Sequence, residues 1–194
     1  SAPGQWGIED YMEVSKKLSG KKGLALLGFM GSGKSTLAPR IAALSGKEFF
    51  EMDALLEKKF GMPISAFFQK YGEERFRKEE AKLLHTLSSE KMILSPGGGV
   101  VLREENRKQL KEHFFTIYLR VRPETVVERL SKGENVRPLL QGKMNRQAIG
   151  EMMAERSALY EETADYILDG DGKTVANCVE ELRRVLQENG MLLP

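Results

Sequence analysis

Along this chain, short apolar runs alternate with longer stretches in which apolar residues recur every three or four positions. The first run is GLALLG at 23–28; KEFFEMD (47–53), KMILS (91–95), FFTIYLRV (114–121) and ADYILD (164–169) follow. Runs too short for helices, with no polar face, predict strands of a parallel sheet buried on both sides. Between them, Leu37, Ile41 and Leu44 predict a helix over 34–45. ALLEKKF, ISAFFQKYG and the stretch from Glu73 to Ser88 predict further helices, and a last one ends near Asn189. Strands alternating with helices make the fold class α/β, with a parallel sheet covered on both faces. Ligands of such sheets bind beyond the carboxyl ends of the strands. The chemistry is therefore expected in the loops after Leu27, Phe50, Leu94, Val121 and Leu168.

The least regular stretch is SKGENVRPLLQGKMN, polar and broken by glycines and a proline, which marks it as a candidate mobile lid. The N-terminal segment has no apolar core of the kind a signal peptide carries, and no function attaches to it. No apolar run approaches the roughly 20 residues that span a bilayer.

Composition narrows the class. The chain has 194 residues, 41% hydrophobic and 30% charged, which suits one globular domain. Lys and Arg number 30 against 28 Asp and Glu, a formal charge of +2. That balance lacks the clustered basic excess of a nucleic-acid or membrane-surface binder. The single cysteine, Cys178, excludes an intrachain disulfide and fits a reducing cytoplasm. It falls in the spacing Val175, Cys178, Val179, Leu182, Val185, Leu186, an apolar helix face, so packing is its expected role.

The segment GFMGSGKST, Gly28 to Thr36, fits the phosphate-loop pattern G-x-x-x-x-G-K-[ST], with a strand before it and a helix after it. Backbone N–H groups and the positive end of the helix dipole cradle phosphate oxygens in such a loop. Lys34 adds a point charge, and the Ser35 hydroxyl is a ligand for Mg²⁺. The loop establishes a nucleoside triphosphate and little more, since switches, ATPases and kinases all use it.

Other candidates lie downstream. Alternation along an extended chain places Glu51 and Asp53 on one face of the second strand's end, one to hold Mg²⁺ and the other to orient or deprotonate a hydroxyl. An Asp before ALLEKKF also fits a helix N-cap. Glu73, Arg77 and Glu80 have the spacing of a solvated ion-pair ladder. Arg156 fits an exposed position on its helix, and His85 and His113 read as surface residues. Arg137, before a proline in a glycine-flanked segment, matches an arginine delivered to phosphates by a closing lid. The triplet Gly97, Gly98 and Gly99 carries an entropic cost that a close approach of something to the backbone must offset.

Taken together, GFMGSGKST, Asp53, FRKEE from Phe76, GGG at 97–99, VRPLL from Val136 and ERSALY from Glu155 resemble the shikimate kinase family, in order and near its spacing, over about residues 23–170. The resemblance implies a three-layer P-loop fold like that of nucleoside monophosphate kinases, with a five-stranded parallel sheet in the order 2-3-1-4-5. It implies ATP as phosphoryl donor, Mg²⁺ as cofactor and shikimate as acceptor through its 3-hydroxyl. Gly31, Ser32, Gly33, Lys34, Ser35 and Thr36 would bind ATP, with Arg137 from the lid and Arg129 on the adenine. Asp53, Arg77, Glu80, the three glycines and Arg156 would bind shikimate. Lys34, Asp53 and Arg137 would be catalytic, and Ser35 and Glu51 would face the metal. The implied domain spans 22–194, with a substrate-binding subregion at 54–84 and a lid at 132–145, behind an extension at 1–21; a monomer is expected. The family usually has Asp where Glu51 stands.

Overall fold

The computed structural model describes residues 23–87, 91–132 and 146–192. The expected extension at 1–21, the lid after Lys132 and Arg137 lie outside them. Five strands, β1 (Gly23–Leu27), β2 (Glu48–Glu51), β3 (Met92–Ser95), β4 (Phe114–Arg120) and β5 (Tyr166–Asp169), form one sheet. All pairings are parallel and the order is β2-β3-β1-β4-β5, as the resemblance implies. The register sets Leu27 beside Tyr118 and Glu51 beside Ser95, so the strands end on a common edge.

The two faces follow from the period of two along each strand. Leu24, Leu26, Ile93, Ile117 and Leu119 point to one side. There they meet Leu37, Ala38 and Ile41 of α1 (Lys34–Ser45) and Cys178, Leu182 and Leu186 of α8 (Val175–Glu188). Ala25, Leu27, Leu94 and Tyr118 point to the other side. Their partners include Leu84 of α4 (Glu73–Thr86), Leu110 of α5 (Glu104–His113) and Tyr160 of α7 (Arg146–Thr163). The result is three layers, as expected. Cys178 is 5% exposed and belongs to the core, and His85 and His113 lie on the surface.

Three features depart from the pattern-based reading. First, β2 stops at Glu51, and α2 (Met52–Phe60) starts immediately, so Asp53 stands in the first helical turn rather than on an extended strand. The cause is burial: Met52 and Leu56, one turn apart, are both fully enclosed, which winds the chain at that point. The N-cap is Glu51, so the alternative of Asp53 as N-cap fails too. Second, α5 was not singled out by apolar spacing, because only Asn106 and Leu110 of its ten residues are buried. Third, α6 (Pro123–Lys132) begins on a proline, which is preorganised for a first helical turn, and buries only Val126 and Leu130.

A further cluster joins α3 (Ile64–Tyr71) to α2 and α4 through Leu56, Phe67 and Phe76, with Phe60 and Phe68 packed around them. No helix among the described residues is long and apolar enough to cross a membrane.

Candidate active site

The carboxyl edge of the sheet opens onto a cavity of about 830 Å³. Every site residue expected from the sequence and lying within the described residues lines it: the loop from Gly31 to Thr36, Glu51, Asp53, Arg77, Glu80, Gly97, Gly98, Gly99, Arg129 and Arg156.

The phosphate loop links β1 to α1. Gly31 and Gly33 have φ of 77° and 101°, left-handed values that penalise any side chain. Gly33 caps α1 with no side-chain hydrogen bond, so no capping side chain stands between the helix's amino end and a ligand. Ser32 Oγ is buried without a protein partner among the described residues, an orphan of the kind a ligand satisfies. Arg129, on α6, donates from Nη1 to the Gly31 carbonyl at 3.1 Å and so lies against the phosphate loop.

The glycine triplet follows β3 with no positive φ at any of its three residues. Its need for glycine is steric. A methyl group at Gly97 would sit 2.8 Å from Asp53 Oδ1 and 3.1 Å from Glu80 Oε2. At Gly98 it would meet Arg156 Nη1 at 3.3 Å and the Tyr160 hydroxyl at 3.5 Å, and at Gly99 the Arg77 guanidinium at 2.5 Å. The triplet is thus the floor on which four charged side chains rest.

Two expectations need correction here. Arg77 and Glu80 are not a solvated ladder: Glu80 is 1% exposed, and Arg77 Nη1 donates to Glu80 Oε1 at 3.0 Å. The spacing i, i+3 was legible; the burial came from α4 packing its Glu80 face towards the triplet. Arg156 is half-buried on α7, not exposed, with its guanidinium 5.8 Å from the ring centre of Phe29 in the phosphate loop. That contact joins the two halves of the cavity.

The electrostatics are mixed. Burial raises the Glu80 carboxyl above the ordinary range and outweighs the pull of Arg77. Asp53 is open to water along the cavity, yet the protein around it desolvates its carboxyl and raises it as well. Lys34 opposes that rise and Glu51 adds to it. Lys34 and Arg77 act on Asp53, and Arg129 and Arg156 line the same cavity, so it suits two anionic ligands with a base between them. Ser35 and Glu51 present exposed oxygens, and no group of three metal-binding side chains occurs among the described residues. A donor set this sparse fits a Mg²⁺ that takes its remaining ligands from phosphate and water.

Sequence reasoning missed the apolar wall made by Ile64 and Phe68 of α3 and Phe76 of α4. The signal was present in ISAFFQKY, where Ile64, Phe67, Phe68 and Tyr71 repeat at helical spacing; Phe67 goes to the core while Ile64 and Phe68 reach the cavity. The segment after Leu168, where the sheet topology places part of the site, borders the cavity through Gly170, Lys173 and Val175, residues that no motif singled out.

A family model described as shikimate kinase matches residues 30–187. A shikimate kinase of Thermodesulfovibrio yellowstonii is 38% identical over 162 residues, covering 83% of this chain and 92% of that protein. One from Caldanaerobacter subterraneus is 37% identical over 164 residues, covering 84% and 95%. Among solved structures, a shikimate kinase from Acinetobacter baumannii in complex with shikimate superposes with a TM-score of 0.78 at 30% identity, covering 90% of this chain and 98% of that one.

Proposed function

The chain belongs to the shikimate kinase family, and from that premise we propose that it transfers the γ-phosphoryl group of ATP to the 3-hydroxyl of shikimate, giving 3-phosphoshikimate and ADP. The observation that carries this reading is the convergence of the phosphate loop and the arginine-bearing glycine triplet on one cavity, with Asp53 between them.

In this reading ATP lies along Gly31 to Thr36. The backbone N–H groups at the start of α1 hold its phosphates, and Lys34 balances charge on the transferring group. Arg77 and Arg156 grip the shikimate carboxylate, since a guanidinium offers paired donors in a fixed fork. Glu80 holds Arg77 in the orientation that this grip requires. Asp53 accepts a hydrogen bond from the attacking hydroxyl and takes its proton as the bond to phosphorus forms. Ile64, Phe68 and Phe76 cover the apolar face of the ring and keep water from the phosphoryl group.

Ser35 and Glu51 are the residues that would hold Mg²⁺, whose contribution is to neutralise phosphate charge. Arg129 assists the nucleotide from above the phosphate loop, and Arg137 is assigned to the phosphates by the family resemblance. Catalysis is then mainly positioning and electrostatics.

A coupled ADP-release assay with shikimate, quinate, gluconate and nucleoside monophosphates as acceptors tests the assignment. Turnover should depend on shikimate and favour it over the others by orders of magnitude; shikimate-independent ADP release, or preference for another acceptor, would overturn it.

A further inference from the structure

The carbonyl groups from Gly97 to Val101 all have partners, and for Gly97 and Gly99 the partner lies within the turn itself. Gly97 O accepts from Val100 N at 3.0 Å, and Gly99 O from Leu102 N at 3.1 Å. Beyond the triplet, Asn106 Nδ2 donates to Val100 O at 3.0 Å and Arg107 Nη1 to Val101 O at 2.7 Å. The Gly98 carbonyl has a different partner: it accepts a short hydrogen bond from the Tyr160 hydroxyl. The three glycine N–H groups, by contrast, have no acceptor among the described residues.

Tyr160 is held firmly enough to impose an orientation. It is 2% exposed, its ring packs on Tyr118 at a centroid distance of 5.0 Å, and it lies one helical turn after Arg156 on α7. It forms no part of the cavity wall, whereas Gly98, Gly99 and Arg156 do. Burial pushes its hydroxyl up to about 12, so it stays a donor at working pH.

A trans peptide is planar, and its C=O and N–H point to opposite sides. The described residues contain no cis peptide. Anchoring the Gly98 carbonyl at the rear therefore turns the N–H of the same peptide, that of Gly99, to the front. The bond to the carbonyl also polarises the peptide and strengthens the N–H as a donor. We propose that Tyr160 is a positioning residue for the acceptor substrate: its hydroxyl sets the plane of the Gly98–Gly99 peptide and aims the Gly99 N–H at an oxygen of bound shikimate.

This inference rests on the reading that the cavity binds shikimate. Tyr160→Phe removes one oxygen and keeps the ring. It should raise the KM for shikimate about five- to tenfold, as loss of one positioned donor implies, and leave the KM for ATP within about twofold. A purely structural hydroxyl would lower Tm and leave both KM values unchanged; that outcome, or an equal rise in both, overturns the proposal. If Tyr160→Phe does not fold, the ¹⁵N–¹H spectrum of the unaltered protein decides: the Gly99 amide must shift on shikimate addition, and a stationary signal refutes the role. Unaltered protein that does not phosphorylate shikimate would instead defeat the functional reading itself.

Discussion

Gly99 shows how a single hydrogen in place of a methyl group can carry a site. The Arg77 guanidinium occupies the space a Cβ would need, and that guanidinium is tethered to buried Glu80. Gly99→Ala must therefore displace Arg77 and unpair Glu80 together. At Gly98 the Arg156 guanidinium tip, at 3.3 Å, need yield by only a few tenths of an ångström, and the Tyr160 hydroxyl, at 3.5 Å, is in ordinary contact and need not move. Steady-state kinetics should show the KM for shikimate rising at least tenfold in Gly99→Ala and only a few-fold in Gly98→Ala, with the KM for ATP nearly constant in both. Equal effects at the two positions would contradict the steric account. The run GGG announced a close approach in the sequence. That the approaching groups are the protein's own arginines and carboxylates came from elements distant along the chain.

Among the elements, α6 depends on a residue that lies outside it. Asp171, beyond β5, accepts from the Arg122 backbone N–H at 2.7 Å and from the Thr125 hydroxyl at 2.5 Å. It acts as the cap for a helix that begins on proline, and that helix carries Arg129 to the phosphate loop. Asp171→Ala should cost about 1–2 kcal/mol, the usual value of a lost cap. Thermal melts should show a fall in Tm of roughly 2–4 °C per kcal/mol for a chain of this size. A variant melting with the unaltered protein would show that α6 needs no cap from β5. Such a cap is invisible to local reading, because donor and acceptor are 49 residues apart. Helix α5 escaped for a different reason: a helix with one buried aliphatic residue has no stripe to recognise.

For the molecule as a whole, Asp53 links catalysis to stability. Its carboxyl titrates above the ordinary 3.8 because the protein around it desolvates the charge, although the side chain stays open to the cavity. Between the unfolded and folded pKa values the folded chain holds the extra proton, so stability falls as pH rises through that window. The penalty is absent below the unfolded value and complete above the folded one. Asp53→Asn removes it, and the variant should melt higher than the unaltered protein at pH 8, with the gap closing towards pH 4. Its kcat should fall more than tenfold, since the amide cannot take the proton. An unchanged or lower Tm at pH 8 would show that the site does not strain this charge.

The five strands in chain order, the phosphate loop and the charged and glycine residues of the cavity within the described chain were determined by the sequence alone, whereas helices α5 and α6 and the apolar wall of Ile64, Phe68 and Phe76 were not. What was legible rests on local periodicity, on glycines at conformations other residues avoid, or on a set of motifs in family order. The tertiary structure decided what those side chains touch. It buried Glu80, rested Arg156 on Phe29, wound Asp53 into a helical turn and put Tyr160 behind Gly98. The physical reason is that burial and partner choice are set by packing between elements far apart in the chain, and local pattern carries no record of which face will meet which.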